Sequence, residues 1–420
     1  MNIAYIVPGT GGSFYCENCI RDCAMITGLR DLGHTVTAVP LYLPLLHDEN
    51  VALGDTPPFF GAIRTYVQYR VPLMSVMPHR ILRLFDSPKM LAWAASKAAT
   101  TRAAGHEDMT LAMLKGLEGP MGPEFERMVR WVLSNVQPHA VFLSNAFLLG
   151  AAQAFKALSR VRVACLVQDE HTWVEAGVSE KQSRTWQAIA EQSRHADTLL
   201  SLSTWYATYM SSAAGIAGEN FSIIPFGVDP ARYTRAPSNT GRLGFLSRLS
   251  HNLGLRTVGH AYTALCSRHA SGRLGLELCG GYTSDDLAGL EETLASARSV
   301  GKATVTPGFG LTTRTRFLAR LSVLAVPAPS AVALGTFIFE SLAAGVPVAQ
   351  PDTGGFSEVV NETGGGVLYS PTTADALADA LDRLLTDDGV RNTCIARGHK
   401  AIAGKFNHRN MAQRAVEALP

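Results

Sequence analysis

The stretch from Pro329 to Val360, PSAVALGTFIFESLAAGVPVAQPDTGGFSEVV, constrains this chain more than any other. It follows the β-branched run Val323–Val326 and reads as strand end, tight loop, helix, strand, Gly-Gly turn and helix. The helix is expected from about Gly335 to Ala344, with Phe337, Ile338, Leu342 and Ala343 on its sheet face. Gly345 and Pro347 end it, as Gly at a helix C-terminus and Pro just beyond usually do. Gly335-Thr336 then sits at a helix N-terminus, where free backbone N–H groups and the dipole favour an anion. Glu340 lies five residues on, roughly 7 Å along the axis. That is about the span from a diphosphate to the ribose of the same nucleotide, so Glu340 is placed to accept from ribose hydroxyls. The alternative is a core helix carrying one surface Glu.

The N-terminus repeats the alternation. Ile3–Val7 is a buried-strand run, Pro8-Gly9-Thr10-Gly11-Gly12 a glycine loop, then comes a helix to about Leu32 and a second strand at Thr35–Val39. This βαβ opening predicts a doubly wound parallel sheet. A dinucleotide fingerprint fails, because Phe14 stands at the third glycine position and no acid ends the second strand. Gly11 and Gly12 are therefore expected to let the backbone approach a phosphate or sugar; a plain tight turn is the alternative. Cys16, Cys19 and Cys23 share a helical face. They lack a fourth nearby ligand and are expected to be packing residues rather than a metal site.

A chain of 420 residues is too long for one compact domain and fits two. With 47% apolar and 17% charged residues it can bury large cores. A net charge of +2 gives no electrostatic case for nucleic acid. No basic leader and no uncharged run of transmembrane length is evident, and seven cysteines without a secretion signal fit reduced thiols. The expected location is the cytoplasm. Residues 44–135 break the alternation and read as a helical insertion. Its Arg80, Arg83, Lys89, Lys97 and Arg102, with Phe85 and Trp93, leave open a peripheral contact with the inner face of a membrane; a solvated helix face is the alternative.

Strands resume at Ala140–Leu143, Val161–Val167 and Thr198–Leu202. Gln168-Asp169-Glu170-His171 follows the second of these, at the strand end where α/β proteins bind ligands. His171 and the two acids Asp169 and Glu170 are candidates to orient sugar hydroxyls or move a proton; ordinary loop capping is the alternative. The turn Gly227-Val228-Asp229 and the Pro/Ser/Asn-rich segment after Arg235 mark the domain boundary. A second series has strands at Leu243–Leu246, Leu276–Cys279, Ala303–Thr306, Val323–Val326 and Val346–Ala349, with helices between them and three at the C-terminus. Arg248 follows the first of these strands, in position to reach a phosphate, with a surface Arg at a strand end as the alternative, and Gly280-Gly281 ends the second. The organisation is residues 1–228, 229–404, and a terminal helix at 405–420 packing back towards the first domain.

The second half resembles retaining glycosyltransferases of family 4, glycosyl transferases group 1, with the α/β GT-B fold of two Rossmann-like domains facing across a cleft. The matching residues are IPFGVD at 224–229, FLSR ending at Arg248, PS at 329–330, and GTFIFESLAAGVPVAQPDTGGFSEVV at 335–360. GGSFYCENCIRD and VPLYLPL are similar to a bacterial subgroup. The resemblance implies a hexosyltransferase using a UDP- or GDP-linked sugar, no other cofactor and no metal. Its acceptor is a glycan, a lipid-linked molecule or a small molecule. It implies Arg248 on the diphosphate, Glu340 on the ribose, the N–H groups of Gly335-Thr336 on the phosphates, Gly280 near the base, and Gly11-Gly12 approaching from the first domain. Arg248, Glu340 and His171 are thus the candidate catalytic residues. Two positions depart from the pattern. The family's sugar-holding Glu, eight residues before the ribose Glu, is Val332 here, and its phosphate Lys is Leu253. They support the alternative of a degenerate member that binds nucleotide or sugar, or partners an active enzyme, without transfer.

Overall fold

A computed structural model describes residues 1–9, 14–41, 107–235, 240–269 and 273–420. Gly11, Gly12, the Pro57–Phe60 loop and the basic residues 80–102 of the expected insertion lie outside them. The first domain is a parallel sheet with strands β1 Asn2–Val7, β2 Thr35–Pro40, β3 Ala140–Leu143, β4 Arg162–Val167, β5 Thr198–Ser201 and β6 Phe221–Ile223, in spatial order β2-β1-β3-β4-β5-β6. The second has β7 Arg242–Leu246, β8 Gly275–Cys279, β9 Lys302–Thr306, β10 Val323–Leu324, β11 Val348–Pro351 and β12 Gly366–Tyr369, in order β12-β11-β10-β7-β8-β9. Strand order reverses between β1 and β3 and between β7 and β10. Those are the points where such sheets open a ligand crevice at their carboxyl ends.

The central strands β1, β3 and β4 read as near-continuous apolar runs because both faces are covered. On β1, Ile3, Tyr5 and Val7 belong to a core shared with helix α1 (Glu17–Asp31) and continuing into the second domain, while Ala4 and Ile6 face a separate core. That second core holds Phe125, Met128, Val129 and Val132 of helix α3 (Gly122–Asn135), which follows α2 (Glu107–Leu114). α3 is therefore the crossover from β2 to β3, so this end of the stretch 44–135 belongs to the regular frame. The remaining first-domain helices are α4 Leu149–Leu158, α5 Glu170–Glu175, α6 Ser179–Ser193 and α7 Thr204–Ala214. The second domain carries α8 Leu255–Arg268, α9 Leu287–Val300, α10 Leu311–Leu318, α11 Thr336–Ala343, α12 Gly354–Thr363, α13 Ala374–Thr386 and α14 Asp388–Ala403. The final helix, α15 His408–Glu417, crosses back onto α1. Its His408 Nε2 lies 2.8 Å from Asp31, and a Cβ on Gly28 would sit 2.2 Å from the His408 carbonyl.

Two sequence expectations are corrected. Cys16 is not on the helical face with Cys23: it is the extended N-cap of α1 and is disulfide-bonded to Cys19, so the seven cysteines are not all reduced thiols. One turn at a helix start brings the two Cα atoms to 5.4 Å, inside the range a disulfide spans. The strand expected at Val346–Ala349 is shifted to Val348–Pro351, because the Val346 N–H returns to the Ser341 carbonyl and closes α11.

Beneath the start of α1, Asp22 accepts from the Tyr5 hydroxyl at 2.9 Å and the Ser144 hydroxyl at 2.7 Å. Burial raises its pKa from 3.8 to about 7, against the lowering effect of those hydrogen bonds. A carboxyl raised on folding contributes stability that is complete below the unfolded pKa and is lost as pH rises through the folded one. From about pH 4 to pH 7 wild-type stability should fall by roughly 1.4 kcal/mol per pH unit from this group. Asp22→Asn should flatten that fall in thermal unfolding followed across pH 4–8; parallel curves for variant and wild type would contradict it.

Candidate active site at the domain interface

α11 is covered on every side: all eight of its residues are buried, the polar Thr336, Glu340 and Ser341 included. Glu340 is among them at 0% exposure, so it is not a surface residue. A carboxylate so placed must be hydrogen-bonded and charge-paired. Arg314 Nε of α10 donates to Oε1 at 2.8 Å, and the Tyr233 hydroxyl donates to the same oxygen at 2.8 Å. The Tyr15 hydroxyl, from the first domain, donates to Oε2 at 2.6 Å. Arg314 is itself 1% exposed and donates Nη1–H to the Phe309 carbonyl. Burial, then the Glu340 charge, push the Tyr15 phenol well above its usual range, so it is a fixed donor.

The N-terminus of α11 has no local side-chain cap; Gly335 holds the position at φ +84°, and an added Cβ there would lie 2.6 Å from the Phe356 ring. Its partner comes from the other domain. The Thr336 N–H donates to Glu17 Oε2 at 2.6 Å, and Arg21 Nε donates to Thr336 Oγ1 at 2.9 Å. The anion expected at this terminus is thus present as a carboxylate of α1. Burial raises the Glu17 pKa, with Asp169 adding to it and Arg21 and the Thr336 hydrogen bonds opposing it.

Arg248 is held by Asp286 through Nε at 2.8 Å and by the Thr283 hydroxyl through Nη2 at 2.9 Å, with Phe14 across its guanidinium at 4.9 Å. Phe14 bridges to Gly281, and the Tyr15 N–H donates to the Gly280 carbonyl at 2.5 Å. Gly280 has φ +145°, and a Cβ would lie 1.8 Å from the Ser247 carbonyl, so only glycine fits. His171 Nε2 lies 2.9 Å from the Ala331 carbonyl and must be the protonated nitrogen there. Its Nδ1 is buried without a hydrogen-bond partner among the described residues.

Gly335, Thr336 and Glu340 therefore form one cluster on α11. Arg248 and Gly280 join it through Phe14 and Tyr15, and His171 lies at the neighbouring Ala331 loop. Tyr15, Glu17, Arg21, Tyr233 and Arg314 were not singled out from sequence. Glu17 and Arg21 do carry a signal, an i,i+4 pair on α1. Arg314 and Tyr233 carry none, because their role is visible only once Glu340 is known to be buried.

Residues 233–401 match the family model of glycosyl transferases group 1. Among curated proteins, the chain is 26% identical over 237 residues to 2-deoxystreptamine glucosyltransferase of Streptomyces kanamyceticus, covering 53% of this chain and 60% of that one. It is 29% identical over 223 residues to D-inositol 3-phosphate glycosyltransferase of Corynebacterium jeikeium, covering 47% and 52%. The chain thus spans between half and two thirds of these relatives' lengths. Among solved structures, HepE of Anabaena in complex with UDP superposes with a TM-score of 0.64 at 16% identity, covering 99% of both chains. Sucrose-phosphate synthase of Thermosynechococcus elongatus gives 0.66 at 15% identity, covering 99% and 97%. The fold is the two-domain α/β GT-B fold.

Removing one partner of a buried charge pair leaves the other uncompensated, at a cost of about 3–5 kcal/mol. Arg314→Met should lower unfolding free energy by about that amount in urea titrations. A loss below about 1 kcal/mol, the range of exposed pairs, would contradict the assignment of Arg314 as the main counter-charge of Glu340.

Proposed function

We propose that the protein is a retaining glycosyltransferase that moves a hexosyl group from a UDP- or GDP-linked sugar to an acceptor hydroxyl. The observation that carries this is the α11 cluster: a helix N-terminus at the second sheet's switch point that already holds a carboxylate, with Glu340 one turn further in, inside the segment matching the group 1 family model. On this reading the diphosphate takes the place of the Glu17 carboxylate at the Thr336 N–H. The ribose hydroxyls take the place of the Tyr15 hydroxyl on Glu340. Arg248 and the helix terminus meet the charge that builds on the leaving group. The bond from the anomeric carbon to the diphosphate oxygen breaks with its electron pair on the diphosphate. The acceptor oxygen bonds to that carbon on the same face, and its proton passes to the departing diphosphate oxygen. The binding of UDP by HepE supports the donor class.

A second reading, a protein that binds nucleotide without transfer, is favoured by Val332 and Leu253, which put no carboxylate and no cation at two places the family uses. Calorimetric titration with UDP, GDP and ADP, followed by assays of nucleotide-sugar hydrolysis, separates the readings. Binding with turnover is expected; binding without turnover of any nucleotide sugar supports the second reading, and no binding at all sinks both. Glu17→Gln, which removes the competing negative charge at the helix terminus, should tighten nucleotide binding about fivefold, the equivalent of about 1 kcal/mol. Unchanged or weaker binding would show that Glu17 does not occupy the phosphate position.

A further inference from the structure

We propose that Arg21 and Asp169, an ion pair of the first domain, supply across the interface the cation and the carboxylate that the second domain lacks around its donor cluster. The proposal rests on the reading of that cluster as a nucleotide-sugar site. The second domain's own loops are apolar where a diphosphate sugar needs polar partners: Leu253 stands in the turn after β7, and Ala331, Val332, Ala333 and Leu334 line the approach to α11. The polar side chains that touch this approach come from the first domain.

Arg21 is 1% exposed; its Nη1 and Nη2 donate to Asn18, Asp169 and Glu17 of its own domain, and its Nε reaches across to the second. Its Nε donates to Thr336 Oγ1 at 2.9 Å, which sets a permanent positive charge beside the helix terminus. Burial alone would lower its pKa, but Asp169 and Glu17 outweigh that and keep it charged. When a diphosphate replaces Glu17, the guanidinium gains a phosphate in exchange for a carboxylate, and its charge stays compensated.

Asp169 occupies the N-cap position of α5 but makes no capping hydrogen bond. Its backbone is in the left-handed region, φ +59°, a conformation that costs a non-glycine residue free energy. That geometry sends the carboxylate outward. Oδ1 accepts from the Ala333 N–H at 2.6 Å and Oδ2 from Arg21 Nη1 at 2.9 Å. It therefore stands against the Ala331–Leu334 segment, next to the backbone of Val332, where the sugar hydroxyls of a donor seated on α11 would need an acceptor. His171, two residues on, contacts the same segment at Ala331.

The roles predict separable effects. The full-length chain is titrated with the nucleotide it binds from the panel UDP, GDP and ADP, and with the corresponding glucose nucleotide. Arg21→Gln should weaken binding of both tenfold or more. Asp169→Asn keeps an oxygen for the Ala333 N–H, and it should leave nucleotide affinity within about twofold while lowering glucose-nucleotide affinity and the hydrolysis rate at least tenfold. Adding Leu253→Lys to Arg21→Gln, and Val332→Glu to Asp169→Asn, should each restore part of the loss; thermal unfolding confirms that the single variants are folded. Equal weakening of nucleotide and glucose nucleotide by Asp169→Asn would make Asp169 a domain latch and overturn its role. Nucleotide binding unchanged in Arg21→Gln would overturn the role of Arg21. A wild-type chain that turns over donor while both variants behave like it overturns this inference and leaves the functional reading standing. A wild-type chain that binds none of the three nucleotides overturns both.

Discussion

A carboxylate with no access to water organises this molecule. Glu340 sits on a helix buried on every side, and its charge is tolerable only because Arg314, Tyr233 and Tyr15 all donate to it. Those partners come from a helix of the second domain, from the chain just after the domain boundary, and from the first domain. Neutralising one charge thus ties both domains and their connection together. The interface repeats the device at helix ends. Glu17 of the first domain accepts from the first N–H of α11, and Glu358 of the second accepts from the Thr204 and Trp205 N–H groups at 2.8 Å, at the start of α7. Each domain caps a helix of the other.

Such a junction differs from a packed core in what it costs to open. Hydrogen bonds at an interface contribute of order 1 kcal/mol net each, because water or a ligand can replace them, whereas a cavity in either core costs several times more. A ligand offering phosphate oxygens and paired hydroxyls has the chemistry to take over from Glu17 and Tyr15 one partner at a time. In the described arrangement the Thr336 N–H and the Glu340 carboxylate are both occupied by side chains of the first domain. The disulfide between Cys16 and Cys19 flanks Glu17 and fixes the turn from which Tyr15 and Glu17 project.

The parts of the fold readable in sequence are those set by local pattern. The apolar runs of β1, β3, β4 and β7 and the Gly345 stop after α11 depend on near neighbours, whereas Val228 of the expected boundary turn pairs with distant Asn407. The anion preference of the Gly335-Thr336 terminus is likewise local. β12 escaped because it opens on Gly366 as a half-buried edge strand without an alternating pattern. The site was legible in one half only. Glu340 and Arg248 stand at fixed spacings within their own domain, whereas Tyr15, Glu17, Arg21 and Asp169 act on residues more than 140 positions away. No periodicity reports such a contact. Asp169 was readable only as one of several polar residues at the end of β4; its hold on the Ala333 N–H and its left-handed backbone are what mark it out.

The most direct test of the account is a structure of the full-length chain with UDP bound. It should place phosphate oxygens within hydrogen-bond distance of the Thr336 N–H, the ribose hydroxyls on Glu340, and the Glu17 carboxylate and Tyr15 hydroxyl displaced from both. A nucleotide bound elsewhere, with the Glu17–Thr336 and Tyr15–Glu340 hydrogen bonds intact, would contradict it.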